Sequence, residues 1–192
     1  GLKLAFAPTE LLTGLGNFRG TGRRFEVKGT VHGIRVIDDY GHHPTEIHVT
    51  LEAARRFADA GRLIVIFQPH RYSRTQAFAP QFAKELDVAD RAILLEVYAA
   101  SEKPIEGVNS KIITSKMSKG EYIPNFVEVT DSVIADAQPG DVIMTLGAGD
   151  VSSLAPIIVE GLTRQTNSLV ELQQGEKHLI QIQNLMQQNL NA

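Results

Sequence analysis

The stretch Asp38-Asp39-Tyr40-Gly41-His42-His43-Pro44-Thr45-Glu46-Ile47 concentrates more chemistry-bearing side chains than any other part of this chain. Two carboxylates, a phenol and two imidazoles lie between an apolar run, Ile34 to Ile37, and an amphipathic run, Thr45 to Ala60. The first reads as a strand and the second as a helix. In an open α/β sheet, ligands bind outside the carboxyl ends of the strands. Asp39 at such a corner can accept hydrogen bonds from a ribose or help hold a hydrated magnesium ion, and a turn or helix-capping role fits it too. His42 and His43 are adjacent, so their rings need not face one way. No HxH or HExxH spacing accompanies them, so contact with an anionic ligand is the expectation and a metal site is not.

A second group is Gln68-Pro69-His70-Arg71-Tyr72-Ser73-Arg74-Thr75, directly after the most apolar run of the chain, Leu63 to Phe67. The planar guanidinium binds carboxylate or phosphate through two parallel hydrogen bonds, so Arg71 and Arg74 read as an anion site with His70 beside them. Ser73 or Thr75 is the expected cap of the following helix. Arg23 and Arg24 follow Gly20-Thr21-Gly22 and suit either a phosphate-gripping arm or an exposed basic pair. Gly147-Ala148-Gly149-Asp150 lies where a strand meets a helix. It allows either close ligand approach or a tight turn capped by Asp150. The chain contains no GxxxxGK[ST] and no GxSxG, and no GxGxxG follows the first strand. It therefore has no phosphate-binding loop of its own and no hydrolase elbow, and an independent dinucleotide-binding enzyme is disfavoured.

The elements that must position these groups alternate. Phe25 to Ile37 predicts a β-hairpin, and helices are expected over about Thr45–Ala60, Gln76–Leu86, Ser110–Lys119, Asp131–Ala137 and Val151–Leu162. Strands are expected at Leu63–Phe67, Arg91–Val97, Phe126–Val129 and Asp141–Leu146, with Thr130 or Asp131 capping the helix that follows the third of these. That order implies an α/β, Rossmann-like, doubly wound and mostly parallel sheet of about six strands. An antiparallel edge hairpin opens it and an extra helical tail closes it. The strand ends at Asp39, Phe67, Val97 and Leu146 then share one edge. Residues 1–24 read as a linker, with a short capped turn at Pro8–Leu12 and breaks at Gly14, Gly16, Gly20 and Gly22. Residues 25–163 read as the domain. Residues 164–192 read as a Gln-rich helical tail, either an appended helix or a docking one, with Leu169, Leu172, Leu179, Ile182, Leu185 and Met186 at roughly helical spacing.

Composition excludes several classes. The 192 residues are 43% hydrophobic with a net charge of −3, which suits one domain with an appendage and gives no basic field for nucleic acid. Without cysteine there is no disulfide, thiolate metal site or cysteine nucleophile. No apolar stretch approaches the roughly 20 residues of a membrane span, and no signal-peptide pattern opens the chain. Gly1 in place of methionine predicts a piece of something longer or a tag remnant.

Four segments, Phe18 to Glu26, Asp38 to Ile47, Phe67 to Thr75 and Leu146 to Asp150, together resemble the C-terminal domain of the Mur ligases, and most closely the alanine-adding members. The likeness spans about Phe18 to Leu162. A tripeptide-recycling relative shares the Asp-Asp-x-x-His-His-Pro pattern but usually lacks the Gln-Pro-His-Arg-Tyr run, and folylpolyglutamate synthetase is a more distant relative. The resemblance implies a cytoplasmic bacterial enzyme of peptidoglycan synthesis built from three domains. It uses ATP and Mg2+ to join L-alanine to UDP-N-acetylmuramate through an acyl phosphate. The UDP-sugar domain and the central domain, with its phosphate loop and magnesium ligands, lie outside this sequence, so the 192 residues alone are expected to be inactive. The resemblance further implies that Arg24 contacts ATP phosphate, that Asp39 and Tyr40 meet the nucleotide, and that Tyr40, His42, His70, Arg71 and Arg74 surround the amino acid and acyl phosphate. Arg24 and His42 would act in the chemical step. A stand-alone binding module is the reading from another class.

Overall fold

The computed structural model describes residues 22–190, with side chains to Gln181. The linker features up to Thr21 and the side chains of Ile182, Leu185 and Met186 lie outside the described residues. Six strands form one sheet in the order β1-β2-β6-β3-β4-β5. They are β1 (Glu26–Val31), β2 (Ile34–Asp39), β3 (Leu63–Phe67), β4 (Arg91–Leu94), β5 (Gly120–Tyr122) and β6 (Val142–Leu146). Only the β1–β2 edge pair is antiparallel, and β2, β6, β3, β4 and β5 run parallel. The expected mostly parallel sheet with an antiparallel edge is therefore what forms.

Side chains of β3 alternate between two helical layers, as the period of a strand requires. Leu63, Val65 and Phe67 face a layer built by α1 (Pro44–Ala58), α2 (Tyr72–Leu86) and α3 (Lys111–Thr114). Ile64 and Ile66 face α4 (Phe126–Asp136) and α5 (Leu154–Leu190). All five residues of β3 are fully buried, which is why that run reads as continuously apolar.

Three expectations need correction. Phe126–Val129 is not a strand but the first turn of α4. Asn125 caps that helix, its side chain accepting from the N–H groups of Val127 (2.8 Å) and Glu128 (3.2 Å), so neither Thr130 nor Asp131 is the cap. Val129, Thr130 and Val133 are buried at helical spacing, so the packing face overrode the short apolar, strand-like run Phe126 to Val129. The missing strand is β5, three half-buried residues whose pattern is too short and polar to read in advance. Finally, the helix expected to end near Leu162 continues without a break to Leu190. Its buried face ends at Leu162, and beyond it Leu169, Leu172, Leu179 and Ile180 are exposed.

Opposite the site, the amino end of the sheet is pinned by charge. Arg62 donates to the carboxylates of Asp141 (2.7 Å) and Asp136 (3.2 Å), and Arg91 donates to Glu121 (2.8 Å). Since α4 depends on one side chain for its first N–H groups, Asn125→Ala is expected to destabilise the fold by about 1 kcal/mol in chemical denaturation. An unchanged midpoint would show that the cap contributes nothing.

Candidate functional site

The carboxyl ends of β2, β6, β3 and β4 form one edge, and the sheet's order doubles back there because β6 inserts between β2 and β3. This is the topological switch point at which α/β sheets bind ligands. The turn after β6 is made by Gly147, which has φ +140° and whose added Cβ would sit 2.7 Å from the Gln68 carbonyl oxygen. A Cβ on Gly149 would press on the Gln68 amide and lie 2.9 Å from Tyr98 Cγ. Both glycines are therefore demanded by close packing. Gln68 is buried, donates to Asp150 Oδ1 (2.7 Å) and accepts from Val151 N–H (3.1 Å). Asp150 thus serves as Gln68's acceptor, and Gly149, not Asp150, occupies the capping position of the turn that follows.

The adjacent aspartates point to opposite faces, as successive strand residues must. Asp38 is fully buried and accepts from Thr145 Oγ1 (2.7 Å) and Arg23 Nε (2.9 Å). Asp39 is 4% exposed and accepts from Phe25 N–H (2.8 Å), Gly41 N–H (2.8 Å) and Thr50 Oγ1 (3.3 Å). A carboxylate has about four acceptor positions, so little capacity remains for a ligand. Arg23 and Arg24 also part company. Arg23 is drawn inward to Asp38 and to the Gly147 carbonyl (2.6 Å). Arg24 is exposed and makes no hydrogen bond or ion pair among the described residues.

The corner between β2 and α1 is set by Glu46. Its Oε2 accepts from the N–H groups of His42 (3.1 Å) and His43 (3.2 Å), closing a capping box with His43 as the cap. Burial pushes the Glu46 carboxyl up, but these two hydrogen bonds together with the fields of His42 and Arg24 hold it below the ordinary range. Above this corner a row of rings crosses the sheet edge, in the order Tyr40, His42, His70, Tyr98. Centroid separations along it are 5.2, 5.6 and 5.5 Å. Arg23 lies over the Tyr40 face at 5.1 Å, and Arg74 Nη1 lies 3.4 Å from His70 Nδ1. Burial, followed by the fields of His42, Arg74 and Arg71, lowers the His70 pKa from its ordinary 6.5.

Of the residues singled out from sequence, Tyr40, His42, His70 and Arg74 meet in this row. Arg71 adjoins it, held at φ +74° with its guanidinium exposed. Arg24 stands at the rim and Asp39 lies beneath. Arg71, not Ser73 or Thr75, occupies the capping position of α2, and its side chain makes no capping bond. Thr75 instead donates to the Arg71 carbonyl (2.8 Å). Tyr98 and Glu102 complete the site without having been singled out, and Gln68, quoted within the second group, had been given no role. The signal for Tyr98 was its place just after β4, at the same edge as the other strand ends. Among the described residues, no group of three or more His, Asp or Glu side chains is placed to hold a metal ion.

A cationic rim over a row of rings at a switch point suits a ligand with carboxylate or phosphate groups. Residues 23–149 match the family described as "Mur ligase, glutamate ligase domain". The chain belongs to the Mur ligase family. This Mur ligase domain is 49% identical over 157 residues to the UDP-N-acetylmuramate--L-alanine ligase of Mycobacterium ulcerans, covering 80% of this chain and 32% of that protein. It is similar to the crystal structure of UDP-N-acetylmuramate-alanine ligase from Thermotoga maritima at 28% identity and TM-score 0.62, over 83% of this chain and 36% of that one. A murein peptide ligase from Psychrobacter arcticus shares the fold at 22% identity and TM-score 0.64, over 79% of this chain and 32% of that one. The chain spans about a third of the length of the curated relatives it matches.

The depressed His70 gives a test with a defined sign. An imidazole whose folded pKa is lowered takes up protons more readily unfolded, so stability falls as pH drops through about 6.5. NMR titration is expected to place the His70 midpoint below 6.5, and to move it upward in His42→Ala, which removes a neighbouring positive charge. A midpoint at or above 6.5 would contradict the geometry.

Proposed function

We propose that this domain is the amino-acid-binding lid of an ATP-dependent ligase that joins L-alanine to UDP-N-acetylmuramate in the bacterial cytoplasm. Residues 25–163 form the lid, residues 1–24 connect it to upstream catalytic domains, and residues 164–192 are an appendage. The observation that carries this reading is the convergence of His42, His70, Arg71 and Arg74 on one sheet edge in a chain closely related to proteins named for that reaction.

In this reading the muramoyl carboxylate is first phosphorylated by ATP, and the amine of L-alanine then displaces phosphate from the acyl carbon. The domain's part is to hold the reactants in register, which in such reactions supplies much of the rate. Arg71 and Arg74 take the alanine carboxylate. His70, kept neutral by its buried and cationic surroundings, lies beside them, with His42 next in the row. A neutral imidazole there adds no positive charge against the amino acid's own ammonium. Tyr40 lines the same pocket and extends it toward the nucleotide. Arg24, exposed at the rim, reaches the ATP phosphates and stabilises the negative charge that shifts during phosphoryl transfer. Asp39 offers the nucleotide ribose its one remaining acceptor position while fixing the loop that carries Tyr40. Magnesium would accompany ATP, with its ligands on the upstream domains.

The test uses the complete ligase containing this domain. Phosphate release is measured against L-alanine, other amino acids and the tripeptide. Dependence on free L-alanine supports the reading, whereas dependence on the tripeptide assigns the domain to a recycling ligase. Removing a charge-assisted hydrogen bond costs about 1.5–3 kcal/mol, so Arg71→Ala or Arg74→Ala should raise the KM for alanine about 10- to 100-fold and leave that for ATP nearly unchanged. Alanine kinetics unaffected in both variants would sink the assignment.

A further inference from the structure

We propose that Glu102 is a positioning residue for the Arg71–Arg74 anion site, gripping the first turn of α2 from the loop after β4 and thereby fixing where both guanidiniums stand. The proposal deepens the reading of the site as an amino-acid pocket and rests on it.

The helix that carries Arg74 starts badly. Arg71 occupies its capping position but offers no side-chain acceptor, so the first N–H groups have no local partner. Glu102, 29 residues further along the chain, supplies one. Its Oε2 accepts from Ser73 N–H at 3.0 Å and its Oε1 from Ser73 Oγ at 2.6 Å. Ser73 lies between the two arginines in sequence, so this two-point grip acts on the segment that bears both. The Ser73 hydrogen bonds, hydroxyl first, hold the Glu102 carboxyl below the ordinary range. A negative group at a helix N-terminus is also where the helix dipole favours it.

The same loop is fastened to the site at two further points. Tyr98 N–H donates to the Pro69 carbonyl (2.8 Å), and the Arg71 N–H donates to the Tyr98 carbonyl (2.8 Å). The Tyr98 ring lies nearly parallel to His70, 14° apart. Between Tyr98 and Glu102 the chain reverses through Ala100 (φ +47°) and Ser101 (φ +73°), and Arg71 opposite them is at φ +74°. Non-glycine residues hold such conformations only where the surrounding structure over-determines them. Three of them flank the grip. It is therefore a place where backbone strain is maintained by specific hydrogen bonds, next to the groups assigned to the amino acid.

The experiment measures steady-state kinetics of the complete ligase carrying Glu102→Ala, Glu102→Gln, Ser73→Ala or Arg71→Ala, with thermal melting of each. Glu102→Ala is expected to raise the KM for the amino acid roughly tenfold or more, because small displacements of positioning groups are costly. The KM values for ATP and the UDP-sugar should stay within about twofold. Glu102→Gln keeps an acceptor for Ser73 and should recover most of the loss. An unchanged amino-acid KM in Glu102→Ala, or an equal rise in all three KM values, overturns the proposal. If Glu102→Ala does not fold, Ser73→Ala decides: a several-fold rise in amino-acid KM supports the grip, and wild-type kinetics overturn it. Arg71→Ala separates the two levels. If it raises the amino-acid KM while Glu102→Ala does not, only the positioning role fails. If neither raises it, the amino-acid pocket itself is wrongly placed.

Discussion

Asp38 has no exposed surface, and the carboxyl edge of the sheet is organised around meeting that fact. A carboxylate taken out of water costs several kcal/mol unless it is paired and hydrogen-bonded. Here the partners are Thr145 on the neighbouring β6 and Arg23 on the segment entering the domain. Arg23 has a planar fork with donors left over after Asp38. It spends one on the Gly147 carbonyl and lays its face on Tyr40. One guanidinium thus joins the incoming chain, the end of β2, the glycine turn after β6 and the first ring of the aromatic row. Removing it would leave a buried acceptor without a donor and would free the turn and the ring together.

The other fixed points work the same way, each being a buried polar group whose partners come from different elements. Gln68 ties the end of β3 to the start of the last helical region. Asp39 ties β2 to Phe25 and to Thr50 of α1. Glu46 ties the loop before α1 to its first turn. Below the site, then, the polar groups are satisfied within the domain. Above it, Arg24 and Arg71 keep their charges unpaired among the described residues. That contrast separates scaffold from ligand surface more sharply than exposure alone, since Asp39 looked from its type and place like a ligand residue and is largely committed to the scaffold.

Much of this was legible beforehand, and what was not has more than one cause. The buried strands and crossover helices followed from period, and the rule that parallel strand ends share an edge brought the loops bearing His42, His70 and Arg74 to one face. What sequence could not apportion was the role of each member of an adjacent pair. Asp38 and Asp39, or Arg23 and Arg24, are identical in type. Their division into inward and outward members is decided by strand alternation at one end and by which buried acceptor needs a donor at the other. Phe126 to Val129 failed differently. Four residues of a short apolar run are a weaker signal than Asn125 as a cap followed by buried positions at helical spacing. Glu102 is not legible in the sequence at all, because its partner Ser73 is 29 positions away and nothing local announces the pairing.

The arrangement also explains why a domain with an intact-looking cluster of titratable groups is best understood as half of a site. Among the described residues its rim cations Arg24 and Arg71 pair with no anion and its metal-type ligands do not converge, and its rings form a row along an edge rather than an enclosed pocket. A row is one wall. Electrostatic attraction between an exposed guanidinium and a phosphate in water is modest and screened by salt, but the same contact strengthens when a second surface excludes water. Closure of this wall against another domain would therefore do two things at once: bring the reactants into register and raise the worth of every charge on the rim. The buried polar ties beneath the rim, from Asp38 to Gln68, would let such a closure press on a bound ligand instead of deforming the domain.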